Sequence, residues 1–204
     1  MSNRRTQLIE AAIELFSKEG FWNSSTAQIS KHAGVATGTL FNYFPSKEIL
    51  INEVYLQLKK EARDYVLNNY PATVPLAERM EYLWNQYAYW AIENPDRFRL
   101  MEQLRLSEMV SEKTVSDVEG EEAFMIEVIS EACTLRPPEN LGVRFVCKMT
   151  YAILAGTITY ALTEQLSGQE LQSHLDAGFS ALLKGLFQRD IDAPLPDSDC
   201  NQKS

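Results

Sequence analysis

Residues 25–47 read STAQISKHAGVATGTLFNYFPSK. Ser25 with Gln28 three positions on is the arrangement in which a side chain and a backbone N–H cap each other reciprocally, so a helix is predicted to open after Ser25. Ala27, Ile29 and Ala33 offer small or apolar packing positions, and Gly34 ends the helix after about two turns. Another helix opens at about Thr37 and stops where Pro45 blocks continuation. Ser46 is placed to cap a further helix that begins with Lys47 and Glu48. Two short helices joined by a turn containing glycine form a helix-turn-helix unit. Such a unit presents small polar side chains on its second helix to base edges in the major groove of DNA, while the other face of that helix holds it on the domain. Thr37, Thr39 and Asn42 supply the polar groups. Gly38 lets the backbone come close. The anchors lie among Leu40, Phe41 and Phe44, and Lys47 with the amides that open its helix makes a phosphate clamp.

Working outward, the pattern stays helical. Leu8, Ala11, Ala12, Leu15 and Phe16 recur at three and four spacing, which predicts a first helix over about 3–19 with Gly20 as its stop. The helix after Ser46 runs to about Asn68, with Ile51, Val54, Tyr55, Leu58, Ala62 and Tyr65 on one side. Helices follow over about 76–93, 95–107, 122–135, 139–165 and 169–188. Residues 111–122, SEKTVSDVEGEE, read as a polar loop or a frayed helix start, and 191–204 as a disordered tail. The expectation is an all-α chain of about nine helices. Residues 1–47 would form an N-terminal three-helix DNA-binding domain, and 48–190 a helical effector-binding and dimerisation domain.

A net charge of −9 argues against nucleic acid until its distribution is considered: residues 1–50 carry +1 and the rest −10. Phosphate affinity follows local charge, so only the head is suited to DNA. The three cysteines and two histidines show no metal-ligand spacing. Reduced thiols are expected, with a redox pair of Cys133 and Cys147 as the alternative. No phosphate-binding glycine loop or nucleophile elbow is present, so no enzyme and no cofactor are expected. No secretory signal is read, and no uninterrupted apolar run approaches the roughly 18–20 residues that span a bilayer, so a cytoplasmic protein without membrane contact is expected.

Gly20-Phe21, Ser24-Ser25, Ile29, Ala33-Gly34-Val35, Gly38-Thr39-Leu40, Tyr43-Phe44, Ser46-Lys47 and Leu50 resemble the N-terminal domain of the TetR-type transcriptional regulators. The resemblance implies an all-helical homodimer that binds a palindromic operator, usually represses, and releases DNA when a small molecule enters the C-terminal domain. It places Ser25 and Thr26 against DNA backbone or bases, and Thr37, Gly38, Thr39 and Asn42 on the recognition helix. Tyr43 and Lys47 fall at phosphate contacts. Phe41 stands where a tyrosine is frequent, which removes one hydroxyl contact to the backbone, and Thr26 replaces a commonly apolar residue.

The body is marked by EYLWNQYAYW at 81–90, five large aromatics within three turns of one helix. They wrap more than one face, so some pack as core and others are candidates to line a cavity. Tyr65, Trp84, Tyr87, Trp90, Phe98, Met101 and Phe124 are the candidate effector residues, suited to a largely apolar or aromatic small molecule. A cation helped by Glu81, Glu93 or Glu102 is a second possibility. The last two helices carry Gly156, Gly178 and Gly185, small residues that let helices approach, and are expected to form the homodimer interface. The competing class is a helical-bundle small-ligand carrier or enzyme without operator binding.

Overall fold

A computed structural model describes residues 4–121, 123–135 and 141–187. The expected tail at 191–204 lies outside the described residues. Ten helices are present among them: α1 (Arg4–Glu19), α2 (Thr26–His32), α3 (Thr37–Tyr43), α4 (Lys47–Leu67), α5 (Leu76–Glu93), α6 (Pro95–Arg105), α7 (Glu112–Glu121), α8 (Ala123–Leu135), α9 (Val143–Thr163) and α10 (Gly168–Phe187). The chain is all-α. It divides into two compact units, one built within 1–68 and 89–123, the other from 69–88 and the described residues from 124 onward.

In the first unit α1 packs on α2, α4 and α6, α2 packs on α3, and α4 packs on α6 and α7. The apolar stripe read from the sequence is the seam, with Leu8, Ala12, Phe16, Ile51, Val54 and Leu58 all buried. Each fully buried Leu or Phe contributes about 1.5–3 kcal/mol. Arg97 of α6 ties the seam electrostatically: its Nη2 donates to Glu10 of α1 at 2.6 Å and its Nη1 to Glu61 of α4 at 2.8 Å. Burial disfavours the Arg97 charge, but the bond to Glu10 and the Glu61 charge outweigh it, and the guanidinium is held above its usual pKa.

Of the two readings of 111–122, a loop or a frayed helix start, the loop is corrected, since Glu112–Glu121 is helical. Its cap comes partly from far away in sequence. Ser111 Oγ accepts the Thr114 N–H at 3.2 Å, while Asn52 of α4 accepts the Ser111 N–H at 2.9 Å and the Thr114 hydroxyl at 2.7 Å. Asn52 also donates to the Met109 carbonyl at 2.9 Å. Thr114 and Val118, one turn apart, are buried. A polar, acidic decapeptide has no such partners locally, so periodicity alone could not find this helix.

In the second unit α9 lies along α10. The Trp84 indole N–H donates to the Leu175 carbonyl at 3.1 Å, and its ring meets Phe179 at 5.7 Å between centroids. The glycines divide in a way the sequence did not indicate. A Cβ on Gly178 would stand 2.6 Å from Thr157 Oγ1 and 2.9 Å from Trp84 Cζ2, so the close approach depends on it. Gly156 and Gly185 have nothing within 4 Å of that position, so within one chain they serve no helix contact. They lie instead on an uncovered face with Phe145, Ala152 and Tyr160 of α9 and Ala177 and Ala181 of α10. An 18-residue window of α9 has mean hydropathy 1.4 and is 22% buried, which makes α9 long and apolar enough, by length and composition, to cross a membrane. No uninterrupted apolar run reaches that length, since Lys148 and the Thr, Gly and Tyr residues break it, but they do not lower the average far.

Candidate nucleic-acid interface and effector region

The helix-turn-helix is assembled from caps. Ser25 Oγ accepts the Gln28 N–H at 3.2 Å while Gln28 Oε1 accepts the Ser25 N–H at 2.7 Å, the reciprocal pair expected from the sequence. Gly34 at φ 68° then turns the chain, with the Val35 N–H reaching back to the Ser30 carbonyl at 2.9 Å and the Gly34 N–H to that of Lys31 at 3.1 Å. Only a residue at ease in the left-handed region closes α2 this way. Ser46 caps α4 through the Ile49 N–H at 3.2 Å. Between the two capped helices α3 starts from Ala36, which makes no side-chain cap.

This frame fixes which face of α3 is free. Leu40 and Phe44 are 0% and 1% exposed, and Arg5 of α1 lies over the Phe44 ring at 5.6 Å. Thr37, Gly38, Asn42 and Tyr43 are exposed, and Thr39 is half-buried. Phe41 is 44% exposed, so of the three residues among which anchors were sought, Phe41 is not one. At about 3.6 residues per turn it lies on the arc shared by Thr37, Gly38 and Asn42. Ser25 is exposed, with its hydroxyl engaged in the capping pair, and Thr26 is half-buried. The Lys47 ammonium, half-buried and with its pKa pushed down by burial, donates to the Trp22 carbonyl at 3.3 Å, which holds it beside the turn between α1 and α2. Trp22 itself is largely exposed, a feature not anticipated from the sequence.

The seven candidate effector residues fall in different units. Tyr65, Trp90, Phe98 and Met101 belong to the first, with the last three buried; Trp84, Tyr87 and Phe124 belong to the second. There Tyr87 is buried with its hydroxyl 3.2 Å from that of Tyr151, the rings edge to face. Tyr151, Asn85 and Thr150 were not among the candidates. The Asn85 Oδ1 and Thr150 Oγ1 atoms are buried without a hydrogen-bond partner, a costly state that sequence cannot signal because it depends on neighbours. Asn85 also lines an open groove of about 330 Å³ with Pro71, Val74, Glu78, Glu81 and Tyr82. Cys133 and Cys147 are half-buried, and burial raises both thiol pKa values, which leaves little reactive thiolate. Among the described residues no three His, Cys, Asp or Glu side chains gather as metal ligands.

Comparison with known proteins bears on the same region. Residues 8–54, from α1 into α4, match the family described as "Bacterial regulatory proteins, tetR family". The chain is 31% identical to the HTH-type transcriptional regulator HbdR of Aromatoleum sp. (strain CIB) over 146 residues, 66% of this chain and 59% of HbdR. It is 39% identical to the HTH-type transcriptional regulator BetI of Escherichia coli over 67 residues, 33% of this chain and 34% of BetI. The chain thus spans less than two thirds of the length of these curated relatives. A tetR family transcription regulator from Shewanella sp. PV-4 superposes with a TM-score of 0.85 at 25% identity, over 92% of this chain and all (100%) of that one. FadR of Bacillus subtilis, solved in complex with stearoyl-CoA, shares the fold at a TM-score of 0.69 and 17% identity, over 88% of this chain and 98% of that one. The capped helix pair, the buried Leu40 and Phe44 and the exposed arc of α3 all lie in the segment that carries the match, so residues 8–54 belong to the TetR family of bacterial regulatory proteins.

Proposed function

We propose that this protein is a ligand-responsive transcriptional regulator, a cytoplasmic repressor that binds a palindromic operator as a homodimer and releases it when a small molecule binds. The observation that carries the proposal is the segment of α3: Leu40 and Phe44 are buried while Thr37, Gly38 and Asn42 are exposed. That is what a helix entering a major groove requires. Residues 1–47 are the reading domain and 48–190 the effector and dimerisation domain. Thr37, Gly38, Thr39 and Asn42 meet the bases, Ser25 and Thr26 meet backbone or bases, and Tyr43 and Lys47 hold phosphates.

The uncovered face of α9 and α10 is assigned to a second copy. An apolar helix with only 22% of its window buried costs free energy in water, and Gly156 and Gly185 leave room for a partner's helices. A two-fold dimer carries two copies of α3, which must meet successive major grooves about 34–36 Å apart. The effector acts by favouring conformers in which they do not. Within the second unit Trp84, Tyr87 and Phe124 are its candidate contacts, and Asn85 Oδ1 and Thr150 Oγ1 offer acceptors to a donor-bearing, largely apolar molecule. α4, which follows the reading domain directly, is the lever. Arg97 links it to α6 and α1.

Fluorescence anisotropy with the protein's own promoter region across a salt series tests the proposal. Sequence-preferring, salt-sensitive binding by a dimer is expected. Binding of small molecules with no operator binding would favour the carrier or enzyme class instead, and a monomer by light scattering at micromolar concentration would refute the interface.

A further inference from the structure

We infer that Phe41 reads a thymine 5-methyl group in each operator half-site, so that this chain's operator choice depends on an apolar contact. The inference rests on the operator-binding function proposed above. Thr37, Phe41, Gly38 and Asn42 follow one another around an arc of roughly 140° at 3.6 residues per turn, with Phe41 between Thr37 and Gly38. Phe41 is therefore inside the reading surface rather than at its margin. It is 44% exposed although Leu40 and Phe44, its neighbours on the buried side, are 0% and 1% exposed, so a large part of the ring is open to a partner.

The chemistry of the ring narrows what it meets. A phenyl group has no donor or acceptor, and against a phosphate it would desolvate charge without a hydrogen bond in return. Along the base edges of the major groove the apolar group on offer is the thymine C5-methyl. Gly38 beside it has nothing within 4 Å of where a Cβ would be, so no side chain of the protein stands between that part of the helix and the bases. A tyrosine in place of Phe41 would carry a hydroxyl suited to the backbone; its absence moves the contact inward to the base edge.

The experiment uses the full-length dimer and the operator selected from random-sequence DNA. Each thymine is replaced singly by deoxyuridine, which keeps base pairing and removes only the methyl group, and affinity is read by anisotropy. One symmetry-related pair of thymines is expected to respond, weakening binding about fourfold per half-site and about fifteenfold when both are replaced, the cost of one buried methyl at each. Phe41→Ala should bind with the same salt slope but bind thymine and deoxyuridine operators equally, and Phe41→Leu should keep part of the discrimination. Operator binding that no thymine replacement alters, or discrimination that survives in Phe41→Ala, overturns the inference while leaving operator binding intact. Absence of sequence-preferring binding by the unmodified protein overturns the function beneath it as well.

Discussion

Gly178→Ala sets two effects of known sign against each other. In an exposed helix the change stabilises by about 1 kcal/mol, because alanine orders its backbone at less entropic cost. Here the added Cβ arrives 2.6 Å from Thr157 Oγ1 and 2.9 Å from Trp84 Cζ2, closer than carbon atoms settle. Neither neighbour gives way easily: Thr157 is β-branched with its hydroxyl bonded to the Ile153 carbonyl at 2.9 Å, and Trp84 is buried and tied to Leu175. Overpacking of this kind costs about 1–3 kcal/mol. Taking the middle of that range, the net is a loss of about 1 kcal/mol and a fall in Tm of about 2–4 °C. Thermal unfolding followed by circular dichroism at one fixed protein concentration measures it, since association shifts Tm. Thr157→Ala removes the nearer contact and should restore about half the overpacking, a coupling of about 1 kcal/mol in the double-mutant cycle. A Tm that rises in Gly178→Ala, or additivity with Thr157→Ala, would show that α9 and α10 do not meet as described.

Arg97→Met leaves Glu10 and Glu61 facing each other across the seam without a cation. With the three side chains about a third exposed, the loss is about 2 kcal/mol, most of which the additional changes Glu10→Gln and Glu61→Gln should recover in urea unfolding. Asn52→Ala removes the distant half of the α7 cap, and hydrogen exchange should accelerate in Glu112–Glu121 while α4 keeps its protection. In a Cys200→Ser background, alkylation of Cys133 and Cys147 should be slower in the native protein than in the unfolded chain. Because burial raises both pKa values, the native rate should keep climbing as pH rises through 9.0, the ordinary thiol value, where that of the unfolded chain levels off.

What the sequence determined by itself was local. The capping pair Ser25 and Gln28, the turn at Gly34, the stop at Pro45 and the cap at Ser46 each act within five residues, so order along the chain suffices to place α2, α3 and the start of α4. The apolar stripes of α1 and α4 were legible for the same reason: a helical period turns spacing into a face. What the tertiary structure decided was which of several chemically plausible residues a neighbour claims. Phe41 and Phe44 are the same side chain three positions apart, and only the tertiary packing, with Arg5 of α1 over the Phe44 ring, puts one in the core and leaves the other exposed. Gly156, Gly178 and Gly185 are likewise equivalent in sequence, yet Gly178 alone of the three meets Thr157 and Trp84. The α7 helix, capped from Asn52, and the unpartnered oxygens of Asn85 and Thr150 belong to the same class. Periodicity reports the backbone's preference, whereas burial and hydrogen-bond satisfaction are properties of pairs of residues far apart in the chain, and those pairs exist only once the helices have packed.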